Sequence, residues 1–183
     1  MKSRNIGKRL KALGVLAIGS LRLFILRVRR VETIRASNGV TLRANFHDAS
    51  FRYAVTKIVD DSPYYELLKQ FEEIVFLDVG ANQVVVSLKV GSSPNCRKVL
   101  AFEPSAENIE LLRYNIQLNR LERKVEVVPK ALGPKNTKTL FEYLPNHSGN
   151  SRLISSFARR PESKVSQVDV WSPREVDELL VGL

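Results

Sequence analysis

One cysteine, Cys96, stands in a chain of 183 residues, so no internal disulfide can form and nothing calls for an oxidising compartment. With only two histidines, His47 and His147, the His/Cys zinc clusters of structural sites are excluded as well. Long apolar runs are missing. The longest, residues 12–21, holds ten apolar or small residues before Arg22 interrupts it, where a spanning helix needs about 20. Acidic residues are almost absent from one end: residues 1–35 carry ten Lys or Arg and a single acid, Glu32. Internal repeats and low-complexity segments are lacking too.

What remains has globular character. Hydrophobic residues make up 44% and charged residues 26%, which is neither a disordered nor a fibrous composition. The formal net charge of +10 comes almost wholly from the first 35 residues, since the other 148 hold 19 basic and 18 acidic side chains. A basic arm on a neutral body argues against a nucleic-acid groove and for an arm that meets an anionic surface. Residues 1–30 read as a basic amphipathic segment lying on a membrane surface, apolar side chains at the acyl boundary and arginines reaching lipid phosphate. The competing reading is a helix packed on the domain or a leader. Either way the chain is expected in the cytoplasm, peripheral to a membrane if the arm binds one.

Residues 31–70 read as a lead-in. Segments 31–36 and 40–44 are β-prone and flank Ser37-Asn38-Gly39, a hairpin signal. Residues 51–59 suit a strand or a helix start, and Ser62-Pro63 opens a helix through Phe71. Residues 71–183 then form the main domain. Three short apolar runs stop abruptly: 74–77 at Asp78-Val79-Gly80, 99–102 at Glu103-Pro104, and 125–128 at Pro129. Continuous apolar runs of that length are the pattern of parallel strands buried on both faces. Between the second and third lies an amphipathic helix with Ser105 as cap, Glu107 in its first turn, and Ile109, Leu112, Ile116 and Asn119 along one face. Strand, helix and strand in alternation predict a parallel α/β sheet with flanking helices, a Rossmann-like arrangement. Segments 138–143 and 165–170 are weaker strand candidates, and 173–183 a closing helix.

The ligand crevice of such folds lies at the carboxyl ends of the strands. There stand Asp78-Val79-Gly80-Ala81-Asn82 and Glu103. Gly80 lets backbone approach a ligand closely; the following N–H groups suit a carboxylate; Glu103 suits the two hydroxyls of a ribose. Each feature has a plainer role, as a strand-end turn or a helix cap, and their joint placement at successive strand ends is what points to a nucleotide-type ligand. The absence of Gly-x-Gly-x-x-Gly after the first strand argues against a nicotinamide cofactor. His47, His147, Trp171 and Arg159-Arg160 read as surface, loop or packing residues, with His147 nearest the expected site.

In order and spacing, Phe76-Leu77-Asp78-Val79-Gly80-Ala81-Asn82, Ala101-Phe102-Glu103-Pro104, Asn108, Leu112, Asn115-Ile116-Gln117-Leu118-Asn119 and Ala131-Leu132-Gly133 resemble the FkbM-type methyltransferases. Gly149-Asn150-Ser151 and Val176-Asp177-Glu178-Leu179-Leu180 resemble that family's glycine-serine loop and the Leu-Asp-x-Leu-Leu stretch after it. The resemblance covers residues 70–180. It implies a class I methyltransferase fold binding S-adenosylmethionine, and methyl transfer to an oxygen of a small molecule or sugar. Asp78, Gly80 and Asn82, with Ala81 between them, would line the methionine and ribose side. Glu103, followed by Pro104, would hold the ribose hydroxyls, and Lys130, Ala131 and Leu132 would lie near the adenine.

The chain departs from the family at Val84, where a second glycine is usual, and Val85 and Val86 extend a run that disfavours a helix start. It also stops where the family's fourth strand, with an Asp-x-Glu-Gly motif, is expected. The reading is therefore of a domain whose C-terminal strands are missing, its open sheet edge covered by a second copy or another chain. The alternatives are a non-catalytic remnant that pairs with another protein, and a basic membrane- or nucleic-acid-associated protein resting on residues 1–35 alone.

Overall fold

The three apolar runs become the parallel strands β3 (Ile74–Val79), β4 (Cys96–Phe102) and β5 (Val125–Val128), in that spatial order. Our computed structural model describes residues 32–35, 39–45, 47–57, 63–83, 85–155 and 160–183. The basic arm, Asn38, Ser62, Val84 and Arg159 lie outside them. Helix α3 (Val85–Gly91) connects β3 to β4, and α4 (Ala106–Leu118) connects β4 to β5.

Alternation along β4 explains its apolar run from Val99 to Phe102. Val99 and Ala101 pack with Leu88, Leu112 and Ile116 in one core cluster. Leu100 and Phe102 pack with Val128 and Val176 in another. Successive side chains of a strand point to opposite faces, and here both faces are covered. The first cover is α3 and α4. The second is α5 (Pro173–Val181), which opens with a Ser172–Glu175 capping box and Pro173 in its first turn.

Helix α3 forms although it starts on valines. Val85, Leu88 and Val90 are buried against the sheet, and that burial outweighs the small helix preference lost to β-branching. Helix α4 is capped as its sequence predicts, the Ser105 side chain accepting from the Asn108 N–H.

The lead-in folds onto this sheet. Strands β1 (Glu32–Arg35) and β2 (Thr41–Ala44) form an antiparallel hairpin, and helices α1 (Ala49–Lys57) and α2 (Pro63–Leu68) follow. Residues 51–57 are thus helical, not strand. Leu42, Ala44 and Phe51 enter the first core cluster. Asn115 of α4 and Asn119, its C-cap, hold β2 by its backbone. The Asn115 amide accepts from Arg43 N at 2.7 Å and donates to Arg43 O at 2.8 Å. Asn119 does the same to Thr41, at 2.8 and 2.7 Å. Residues four apart on a helix thereby meet residues two apart on a strand, standing in for a neighbouring strand's ladder.

A second sheet has the order β6-β9-β7-β8, from β6 (Ala131–Leu132), β7 (Thr137–Tyr143), β8 (Arg152–Ile154) and β9 (Lys164–Trp171). β6 runs parallel to β9, and β7 is antiparallel to both β9 and β8. The two weaker strand candidates are its long central pair; β6 and β8 are too short to announce themselves in sequence. Trp171 packs edge-on against Phe102, centroids 6.5 Å apart, joining the sheets. Arg160 is not a solvated loop residue. Its guanidinium and backbone N–H bind Glu142, which is fully buried on β7. No helix among the described residues is long and apolar enough to cross a membrane.

Candidate functional site

Strand register sets the site. Val79 lies opposite Phe102, and Phe102 opposite Val128, so three strand ends finish at one level. Beyond β3 the chain turns sharply: Gly80 has φ +77° and Asn82 φ +50°. The N–H groups of Gly80 and Ala81 both donate to Phe102 O, at 2.9 and 3.0 Å. That turn carries the Asn82 N–H over the end of β4, where it donates to Glu103 Oε2 at 2.8 Å.

Glu103 is 3% exposed. Its Oε1 accepts Ser105 N at 2.9 Å and, at a longer 3.4 Å, Asn108 Nδ2. All three partners are N–H donors, and no cation stands among them. Burial pushes this carboxyl above the ordinary glutamate range, the N–H donors pull it back, and the charge of Asp78 adds to the rise.

Glu103 opens on a cleft of about 260 Å³, close to the ~300 Å³ lower end of ligand pockets. Gly80, Asn82, Pro104, Ala131 and Leu132 share its walls, with Lys130, Asn108, Ser148 and Arg152. Six of the eight residues singled out for cofactor binding therefore meet in one cleft. Asp78 and Ala81 do not line it. Asp78 pairs in register with Ala101, so it faces the α3 side of the sheet and accepts from Ser87 Oγ at 2.5 Å. Burial raises its carboxyl pKa, against the hydrogen bonds from Ser87. Ala81, 7% exposed, is part of the core. A larger groove, about 750 Å³, runs along α4 by Arg43 and Tyr114 and contains none of these residues.

The cations at the rim are held by acids. Lys130 Nζ is 2.6 Å from Asp169 and lies over the Trp171 ring at 5.8 Å. Arg152 Nε is 3.0 Å from Glu142. His147 is exposed; its neighbour Ser148 faces the cleft and donates from Oγ to Asn82 Oδ1 at 2.9 Å. Sequence reasoning overlooked Ser148, Asp48 and Gln83. Only Ser148 left a trace, as part of Asn146-His147-Ser148-Gly149 next to the glycine-serine loop.

No family model and no curated protein matches this chain. Solved structures do. Pyrococcus horikoshii TYW2 in complex with MeSAdo is 20% identical, over 56% of this chain and 36% of that one, with a TM-score of 0.39. Methanocaldococcus jannaschii Trm5 in complex with adenosine is 18% identical, over 77% and 55%, also at 0.39. Coclaurine N-methyltransferase bound to N-methylheliamine and SAH is 19% identical, over 69% and 41%, at 0.34. This chain thus spans between about a third and just over half of the length of those proteins.

Proposed function

We propose that this chain binds S-adenosylmethionine in the cleft between Gly80, Glu103 and Leu132, as a methyltransferase of FkbM type acting on an oxygen of a small molecule or sugar. The observation that carries the reading is Glu103. A buried carboxylate with only N–H donors around it keeps acceptor capacity on Oε2, which has a single partner, and on Oε1, where the 3.4 Å bond from Asn108 is weak. Two vicinal hydroxyls are the complementary donors.

The rest of the donor set fits the same cofactor. Pro104, Ala131 and Leu132 supply an apolar wall suited to a flat heteroaromatic base. The backbone N–H groups of the turn are engaged by Phe102 O and Glu103, so the side-chain amide nitrogen of Asn82 is what the turn presents to an amino-acid end. Acids on the inner side, Glu103 in the wall and Asp78 behind it, favour a cation such as a sulfonium. When bound, that cofactor supplies an electrophilic methyl group for an acceptor oxygen. The part of these residues is to orient it, and alignment is the larger share of catalysis in such transfers. The oxygen acceptor and the FkbM type rest on the sequence resemblance.

Calorimetry with S-adenosylmethionine, on the native chain and on Glu103→Ala, tests this. Saturable binding, weakened about 10- to 100-fold in the variant, is expected from the loss of charge-assisted bonds of ~1.5–3 kcal/mol. Absence of binding by a chain shown to be folded by circular dichroism overturns it.

A further inference from the structure

Asp48 is a fully buried carboxylate in the lead-in, just before α1. As a helix cap it needs one partner, Ser50 N, which donates to Oδ1 at 2.9 Å. It has two more, both from the cleft region. Ser148 N reaches the same Oδ1 at 3.2 Å across 100 positions of sequence, and Gln83 Nε2 donates to Oδ2 at 2.7 Å. Two further bonds tie the start of α1 to the same loop: Ala49 N to Asn146 O at 2.8 Å and Gly149 N to Ser50 Oγ at 3.1 Å. The approach is close, since a Cβ on Gly149 would sit 3.0 Å from Ser50 Oγ.

Between the two residues that Asp48 grips lies Asn82. Gln83 is its chain neighbour, and Ser148 Oγ donates to its side-chain oxygen. Asn82 also holds φ +50°, a left-handed backbone state that asparagine adopts more readily than other non-glycine residues. With Oδ1 engaged by Ser148, the amide nitrogen is the end of Asn82 available to a ligand in the cleft.

We propose that Asp48 is a positioning residue for this cleft: by fixing Gln83 and Ser148 it sets the backbone and amide of Asn82 for the amino-acid end of the cofactor. The inference rests on the reading of the cleft as an S-adenosylmethionine site. Asp48 itself lines no part of the cleft and acts only through its partners.

Calorimetry with S-adenosylmethionine on Asp48→Ala, Asp48→Asn, Ser148→Ala and the Asp48→Ala/Ser148→Ala pair, with amide ¹H–¹⁵N spectra of each ligand-free protein, tests the proposal. Asp48→Ala and Ser148→Ala are each expected to weaken binding about tenfold, a loss of ~1.4 kcal/mol. The pair should cost little more than either alone, because both act through Asn82. Asp48→Asn, which keeps an oxygen for Ser50 and Ser148 but sets an NH2 against Gln83 Nε2, should recover only part of the affinity. Asp48→Ala should also move the Asn82 amide resonance without ligand. Additive losses, or a lower melting temperature with affinity and the Asn82 resonance unchanged, overturn the proposal. If the native chain binds no cofactor, the functional reading falls, while the Asn82 resonance still decides whether Asp48 positions it. Should Asp48→Ala not fold, Asp48→Asn and Ser148→Ala carry the same comparison.

Discussion

The backbone N–H of Asn82 points at Oε2 of Glu103 from 2.8 Å, so the turn after β3 and the acid ending β4 are one unit, not two neighbouring features. A change in either residue reaches the other.

Burial raises the Glu103 carboxyl above its ordinary value of 4.5. For the folded chain alone, the stability this group contributes is complete below that ordinary value and declines as pH rises through the raised one. Cofactor affinity runs the other way, because the ionised carboxylate is the stronger acceptor. Binding should therefore strengthen through a pH range above that of an ordinary glutamate. Glu103→Gln should flatten the dependence while leaving the chain folded. Calorimetry across the acid-to-neutral range measures it; an unchanged slope in the variant contradicts the assignment.

Glu142 shifts in the opposite direction. Hydrogen bonds from the Arg160 side chain and backbone hold its carboxyl down to about 2, with Ser163 and Arg152 adding to them. Its contribution to stability is present above the ordinary value of 4.5 and is lost as pH falls through about 2. Glu142→Gln should flatten that acid limb of the melting-temperature profile. Arg160→Ala should lower the melting temperature by several degrees at neutral pH, since it strips the main partner from a buried charge.

The grip of Asn115 on Arg43 predicts a stability effect away from the cleft. Asn115→Ala removes two hydrogen bonds to β2, worth ~1 kcal/mol each, and should cost about 2 kcal/mol in denaturant unfolding. Asn115→Asp keeps the acceptor for Arg43 N but sets a buried carboxylate oxygen against Arg43 O, so a loss at least as large is expected. Equal stabilities for all three proteins would show that the clip contributes nothing.

Gly80 holds φ +77° with nothing within 4 Å of where a Cβ would lie. Strain alone should then decide its substitutions. Gly80→Ala is expected to cost ~1–2 kcal/mol and Gly80→Asn less, because asparagine tolerates the left-handed region. Denaturant unfolding ranks the two; a larger loss for asparagine means that space, not backbone strain, governs the position.

Much of the frame is legible in the order of residues alone. The runs 74–77, 99–102 and 125–128 are too short for helices and too apolar for surface strands, and they became β3, β4 and β5. Ser105 and Pro173 announce helix starts through local hydrogen bonding and a preset φ, which need no distant partner. The cleft is legible in part for the same reason. Gly80, Asn82 and Glu103 sit where apolar runs stop, and strand ends of a parallel sheet gather on one side.

Direction and distant partnership are another matter. Asp78 and Glu103 look alike in sequence, each an acid at the end of an apolar run. Register separates them: Asp78, still inside β3 opposite Ala101, turns towards Ser87, whereas Glu103, one residue past β4, opens on the cleft. Asp48 and Ser148, or Glu142 and Arg160, carry no local sign of their pairing. Strand and helix type, caps and the residues at strand ends are set by neighbours along the chain, and so they follow from the amino-acid order. Which acid faces the cleft, and which side chains hold Asn82, came from the packed fold. Those depend on the pleat of adjoining strands and on hydrogen bonds between residues up to 100 positions apart.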